Sequence, residues 1–247
     1  MMGDSRRDPL RFPVAAPAVG LAAAGSALLG FRLGVPWLLP VLNAAPAWAV
    51  MALSIRRGKR AETVALMLLW AAGLGAATTI LCAADPFGTA SAAVLHGPAY
   101  ADEMRAWIAT GAGCESEPSC FVPRHLLHAG AFVALALLTA GAGAILMGSV
   151  LMNYMAFYVG TLAAASAAPG TVAILGWHPW SVVRIAAFVT LGVILAEPLL
   201  GRLGGRPSPP GRFRWLAAAA GGLAADMVIK ALLAPSWAAL LRGWLLG

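Results

Sequence analysis

Charged side chains are scarce in this chain. Of its 247 residues only 11% are charged, whereas 60% are hydrophobic, and the mean hydropathy is +0.80. Such a composition excludes an ordinary soluble domain. The formal charge of +7 does not indicate nucleic-acid binding, because the basic residues stand in short clusters beside apolar runs, as membrane topology signals do. We therefore predict a multi-pass protein of the cell membrane, in contact with the lipid bilayer and binding no nucleic acid.

Familiar catalytic motifs are also missing. The chain contains no HExxH, no GxSxG and no paired transmembrane aspartates, which are the signatures of zinc peptidases, serine hydrolases and membrane aspartyl peptidases. No reaction can therefore be assigned from a motif, and the cofactor is unknown, apart from a divalent metal considered below.

Apolar runs long enough to cross a membrane fill most of the chain. A helix needs about 20 mostly apolar residues to span the ~30 Å hydrocarbon core. By this measure we place spans at 14–31, 36–55, 62–83, 125–148, 151–168, 181–201 and 214–234. The sequence thus predicts an all-α bundle of about seven transmembrane helices.

Basic clusters set the number and direction of these spans. Three clusters should lie in the cytoplasm by the positive-inside rule, so that an even number of spans separates neighbouring clusters. Their members are Arg6, Arg7 and Arg11; Arg56, Arg57, Lys59 and Arg60; and Arg202, Arg206, Arg212 and Arg214. Seven spans satisfy this with the N-terminus inside and the C-terminus outside. Six spans are the alternative, but they would leave one cluster on the wrong side.

Two boundaries depend on weaker signals. The uncharged segment 125–168 must be a helical hairpin; we expect its turn near Gly148, with Asn153 at the cytoplasmic interface. In the last span we expect Pro235 to end the helix, followed by a short interfacial segment at 236–246 that carries tryptophans.

One long loop, 84–124, lies between the third and fourth spans and is predicted to be extracytoplasmic. Its segment AYADEMRAWIATG places Tyr100, Met104, Trp107 and Ile108 at the spacing of an amphipathic helix. Such a helix would lie on the membrane surface or roof the bundle. The loop also offers a surface to an extracytoplasmic protein partner.

The three cysteines all map to the outer side. An oxidising compartment, such as the periplasmic side of a bacterial inner membrane, favours a disulfide between Cys114 and Cys120. A thiolate metal site is the alternative. Cys82, at the end of the third span, is predicted to be a buried small apolar residue.

All four histidines fall on the outer side as well and are candidate ligands of a divalent metal: His96, His125, His128 and His178. His125 and His128 are three residues apart and would share one side of a helix, where imidazoles could bind a metal or transfer protons. Glu103 is our preferred carboxylate partner. An interfacial pair that contacts lipid headgroups is the alternative interpretation.

Ionisable residues within spans are costly and therefore candidates for function. They are Arg184, Glu197, Asp226 and Lys230. The last two are four residues apart and able to pair on one helix face. The segment ADMVIKALL resembles the retinal-binding helix of microbial rhodopsins in its D-x-x-x-K spacing, but the third span lacks that family's arginine and carboxylate beside a tryptophan. We assign no family on this basis.

Three functions follow as hypotheses. The first is a membrane-embedded enzyme or metal-handling protein, with catalytic residues His125, His128 and Glu103, and with Arg124 and Arg184 binding an anionic group of a membrane-associated substrate. The second is a small-solute or ion transporter that uses Asp226, Lys230, Glu197 and Arg184. The third is an anchor subunit of a membrane complex, docked through the outer loop.

Overall fold

A computed structural model describes residues 12–205 and 209–246, and every regular element among them is a helix. The cluster Arg6, Arg7 and Arg11, together with Arg206, lies outside the described residues. The ten helices are α1 (Phe12–Leu33), α2 (Leu38–Arg56), α3 (Arg60–Ala84), α4 (Ala90–Ala93), α5 (Gly97–Thr110), α6 (Pro118–Leu138), α7 (Ala142–Ala164), α8 (Pro169–Gly176), α9 (Pro179–Leu203) and α10 (Arg212–Leu246).

Seven of the described helices are long and apolar enough to cross a membrane: α1, α2, α3, α6, α7, α9 and α10. The protein is thus an all-α, multi-pass membrane bundle, as predicted. We call the end that holds the segments 57–59, 139–141, 204–205 and 209–211 the inner end, because the basic clusters assign it to the cytoplasm. The opposite end, which holds α4, α5 and α8, is the outer end.

Helix α7 is the centre of the bundle, packed against α2, α3, α5, α6 and α8. Its close approach to α3 depends on Gly160, where a Cβ atom would come within 2.5 Å of the Thr79 carbonyl oxygen. Without a strong hydrophobic drive between helices in lipid, such close contact of small residues is what holds them together.

The turn before α7 lies at 139–141 and not near Gly148. Ala140 and Gly141 both have positive φ, 52° and 86°, which is the left-handed conformation that ends α6 and reverses the chain. Asn153 consequently lies eleven residues inside α7 and is buried, contrary to the predicted position at the interface.

Buried amides join three helices in the bundle core. Asn43 on α2 donates from Nδ2 to Asn153 Oδ1 on α7 at 3.1 Å, and Ser26 on α1 donates to Asn43 Oδ1 at 3.0 Å. In hydrocarbon a buried amide needs such an interhelical partner. Asn43 is therefore the interhelical partner of the buried Asn153.

Helix α10 continues through Pro235, so the predicted helix end at this residue is wrong. Its 35 residues extend about 52 Å at 1.5 Å per residue, well beyond the ~30 Å hydrocarbon core. Ala234, directly before the proline, and Ala238 and Leu241, after it, are fully buried in the cluster they share with α5 and α8. This packing offsets the proline, which costs a helix about 3 kcal/mol.

The predicted amphipathic helix is α5. Met104, Trp107 and Ile108 are buried, whereas Asp102 and Arg105 are exposed and pair with each other at 2.8 Å. The helix packs on α7 and α10, so it roofs the outer end of the bundle. Several of the functional candidates line a cavity beneath this roof.

Candidate functional site

A cavity of about 360 Å³ runs into the bundle from the outer end. Its volume is within the usual range of small-molecule sites. The walls come from α2, α3, α5, α6, α7, α9 and α10 and from the loop that carries Glu115. The lining residues of α9 begin at Ser181 and end at Val193, a rise of about 18 Å along the helix. The cavity therefore reaches past the middle of the membrane.

Polarity changes with depth in this cavity. The outer part, which we call the mouth, is lined by Tyr100, Glu103, Glu115, Arg124, His125, His128, Arg184 and Lys230. The inner part is apolar, with Met51, Met67, Trp70, Ile145, Phe188 and Val193 among its walls. The cavity thus has a polar mouth above an apolar interior.

Asp226 is the fully buried carboxylate that joins three helices at the mouth. Arg184 on α9 donates to both of its oxygens, from Nε to Oδ2 at 3.0 Å and from Nη2 to Oδ1 at 3.1 Å. His125 Nε2 on α6 lies against the same Oδ2. A carboxylate that holds one imidazole nitrogen fixes the orientation of the ring. We call His125, Asp226 and Arg184 the mouth triad.

Lys230 does not form the predicted pair with Asp226. Its Nζ lies 2.8 Å from Glu115 Oε2 in the outer loop and 4.6 Å from the ring centroid of Phe121. The side chain is 3% exposed, so a buried charge is neutralised by a loop residue. Asp226 and Lys230 are near each other along α10, but each has its partner on another element.

Glu103 is at the mouth, but its partner is not a histidine. Its Oε1 accepts from Arg124 Nη1 at 2.9 Å, and both side chains are well exposed, at 42% and 59%. The carboxylate beside His125 is Asp226. Glu103 was the wrong partner because sequence spacing shows which residues share a helix face, but not which helices are neighbours.

The predicted disulfide is present between Cys114 and Cys120, with an S–S distance of 2.07 Å. It connects the loop before α6 with the first turn of α6. Glu115 follows Cys114 directly, so the bridge holds this carboxylate over Lys230. Cys82 is free and buried, as predicted.

His178 belongs to an aromatic cluster outside the cavity walls. Its ring stacks on Trp180 at 4.6 Å and meets Trp107 edge-on at 5.4 Å, while Tyr158 Oη lies 3.3 Å from Nε2. Burial, together with the positive charges of Lys230 and Arg184, lowers its pKa to about 3. His178 is thus a neutral packing residue that ties the loop before α9 to α5 and α7.

The histidines do not assemble into a metal centre in the part of the chain that the structure describes. Among residues 12–205 and 209–246, no three His, Cys, Asp or Glu side chains are grouped so that they could hold a metal ion. His125 and His128 line the same cavity, whereas His96 caps α5 and is exposed. The predicted four-histidine set is therefore divided among three places.

Tyr100 lines the mouth from the roof helix α5. Burial raises the pKa of its hydroxyl well above the ordinary value, and the negative charge of Glu115 raises it further. The hydroxyl donates to Met155 Sδ at 3.4 Å, and its ring lies 4.6 Å from that of Tyr154. Tyr100 thus remains a neutral hydroxyl at the mouth.

Glu197 lies far from the mouth, at the inner end. Arg60 donates to it from Nε and Nη2, each at 2.6 Å, and also to the carbonyl oxygens of Pro209 and Pro210 at 2.7 Å. The two side chains are 5% and 2% exposed. The predicted intramembrane charge is therefore part of a closed contact between α3, α9 and the loop before α10.

Sequence reasoning missed Glu115 and Trp70 as cavity residues. Glu115 gave one usable signal, since it lies inside the loop that the disulfide closes. Trp70 gave none, because a tryptophan in an apolar span is indistinguishable from any other packing residue.

Comparisons with protein-family models, curated proteins and solved structures found no match to this chain.

Proposed function

We propose that this protein is a membrane-embedded enzyme that acts at the extracytoplasmic face on a membrane-associated substrate. The observation that carries the proposal is the mouth triad, which places an oriented histidine at the entrance of an apolar cavity. His125 is the general acid or base. Asp226 orients its ring, and Arg184 holds the carboxylate of Asp226 in place.

The chemistry suits proton transfer during attack on an ester or phosphoester. With Nε2 against Asp226, the other ring nitrogen, Nδ1, is free to accept a proton from water or from a second substrate's hydroxyl. Arg124 and Arg184 supply positive charge for an anion that develops at the reacting centre. His128, also at the mouth, is a second proton carrier.

The setting favours a substrate that comes from the lipid phase. The inner part of the cavity is apolar and lies within the membrane, so a hydrocarbon tail is stabilised there by burial. The reacting group would then remain at the mouth, beside His125. The disulfide and the basic inner clusters support a bacterial inner membrane as the location.

The test is turnover by purified protein in vesicles made from the total lipid extract of the host cells, followed by mass spectrometry of the lipids. We expect a new lipid product, and His125→Asn should lower its rate about 10²- to 10⁴-fold. Asp102→Asn, a charge change on the exposed side of α5, is the control and should leave the rate unchanged. Equal turnover by wild type and His125→Asn would argue against the proposal.

Metal binding by His125 and His128 stays a prediction. Elemental analysis of the purified protein tests it, and one equivalent of a divalent metal that is lost in the double variant His125→Asn, His128→Asn would support it. In that case the metal would polarise the bond under attack or activate water.

Transport is the second candidate, favoured by the depth of the cavity. The walls continue to Met51 and Ala144 near the inner end, where the contact between Arg60 and Glu197 closes the bundle. An alternating path would require this contact to open. Solute flux into vesicles that survives His125→Asn but is lost in Glu197→Gln would favour transport over catalysis.

The anchor hypothesis depends on a partner for the outer loop. Mild detergent extraction that yields a stoichiometric second protein, released by changes in exposed residues of α5, would support it.

A further inference from the structure

Three ion pairs formed by arginine or lysine lie at the mouth among the described residues, and they differ in their exposure. Arg184 and Asp226 are 28% and 0% exposed in the first pair, and Lys230 and Glu115 are 3% and 16% exposed in the second. In the third pair, Arg124 and Glu103 are 59% and 42% exposed. Breaking a buried pair leaves an uncompensated charge at a cost of about 3–5 kcal/mol, whereas an exposed pair contributes about 0–1 kcal/mol. Only the pair between Arg124 and Glu103 is therefore easily exchanged.

Arg124 stands where a ligand's head would lie. It lines the cavity together with His128, four residues later on α6 and hence on the same helix face. A carboxylate or phosphate placed between them would receive the charge-assisted bonds of Arg124 and a further bond from the imidazole. Glu103 occupies this position on Arg124 in the present structure.

The space below Arg124 fits a hydrocarbon tail. At roughly 30 Å³ per water-sized group, the 360 Å³ cavity holds about a dozen such groups. Trp70 is among the residues that line its apolar inner part. It lies ten residues from the inner end of α3, or about 15 Å along the helix.

We propose that the cavity binds an anionic amphiphile, with its acidic head on Arg124 and its hydrocarbon tail reaching Trp70, and that Glu103 occupies the head-group position when the site is empty. This inference rests on the proposed function, for which it names the substrate class. Binding exchanges one anion on Arg124 for another. Glu103 is thus a competitor of the ligand, and its charge opposes binding.

Opposite effects of the two substitutions follow from this exchange. Arg124→Gln removes a charge-assisted contact and should weaken binding at least tenfold. Glu103→Gln removes the competitor and should tighten binding about three- to fivefold. Arg105→Gln removes the same charge from an arginine that pairs with Asp102 on the exposed side of α5, so it is the matched control and should change nothing.

The experiment uses full-length protein in phosphatidylcholine nanodiscs, titrated with 12-bromododecyl phosphate. Bromine at the tail end quenches nearby tryptophan fluorescence, and the part of the quenching that is lost in Trp70→Phe reports occupancy of the cavity. Bromododecanoate replaces the phosphate in a second titration. Trp70-dependent quenching by the phosphate, the carboxylate or both supports the proposal, and the preferred head identifies the natural source as a phosphoester or a free acid.

Three results would overturn the inference. They are the absence of any Trp70-dependent quenching, an unchanged affinity in Arg124→Gln, and binding of a dodecyltrimethylammonium probe as tight as that of the phosphate. Weaker binding in Glu103→Gln would equally contradict the exchange.

The same titration on His125→Asn separates this inference from the proposed function. Binding that is retained in His125→Asn, together with turnover that is lost in this variant, supports both the inference and the proposed function. Binding without any His125-dependent turnover overturns the proposed catalysis alone, and turnover without Arg124-dependent binding overturns this inference alone.

Discussion

Arg60 and Glu197 meet at the inner end as a bidentate ion pair that is almost fully buried. Removing one partner leaves a charge in a poorly hydrated place, so Arg60→Ala should lower the free energy of unfolding by about 3–5 kcal/mol. Detergent-micelle unfolding in denaturant measures this. The double variant Arg60→Met, Glu197→Leu should recover most of the loss, because it leaves no buried charge. A double variant as unstable as the single one would show that the proline carbonyl contacts, and not the ion pair, hold this end.

His178 makes the stability of the bundle depend on pH. Its pKa is about 3 in the folded protein, against an ordinary value of 6.5. Between these values the unfolded chain binds a proton that the folded His178 does not, so stability falls as the pH falls through this window and is unaffected by His178 above it.

Replacing the ring removes this linkage. In His178→Phe, the slope of unfolding free energy against pH between 6.5 and 3 should be smaller than in wild type by up to one proton. Unfolding titrations at several pH values check this. An unchanged slope would assign the acid sensitivity to other groups, such as the carboxylates at the mouth.

The residues of the site were easier to find than their contacts. The site residues could be predicted because charged side chains and imidazoles are rare in such an apolar chain. Partners such as Asp226 for His125, or Glu115 for Lys230, depend on which helices are neighbours, and hydrophobic spacing carries no such information when every face of a helix is apolar.

At the scale of elements, the outer part of α10 is the clearest addition to what the sequence predicts. Ala238 is fully buried, whereas its neighbour Ala239 is exposed. If this part of α10 is docked against the roof, Ala238→Leu overpacks the contact and should cost about 1–3 kcal/mol. The same change at Ala239 should stay within about 0.5 kcal/mol. Thermal unfolding of the two variants compares them, and equal effects would favour a loose interfacial segment after Pro235.

Helix boundaries were predictable where charge or proline marks them. The turn between α1 and α2 lies at 34–37, beside Arg32 and Pro36, and α3 and α9 begin and end within two residues of the predicted spans. The α6–α7 turn has neither signal. Only small residues around Gly141 mark this turn, and similar runs of small residues occur inside the helices. The turn was therefore predicted near Gly148, seven residues too late.

At the scale of the whole molecule, an odd number of spans puts the two ends of the chain on opposite sides of the membrane. Seven described helices can cross, and the disulfide and the mouth triad are at the end opposite the basic segment 57–59 and the segment 209–211 before α10. A phosphatase reporter that is active only outside the cytoplasm should therefore be active when fused after residue 247 or inserted at 167. It should be inactive when inserted at 58 or 140. The C-terminal fusion is decisive for the number of spans, because six spans would put both ends of the chain on the same side, and the insertion at 140 tests the side of the α6–α7 turn. Activity there, or inactivity at the C-terminus, would reverse the assignment of the mouth to the extracytoplasmic face.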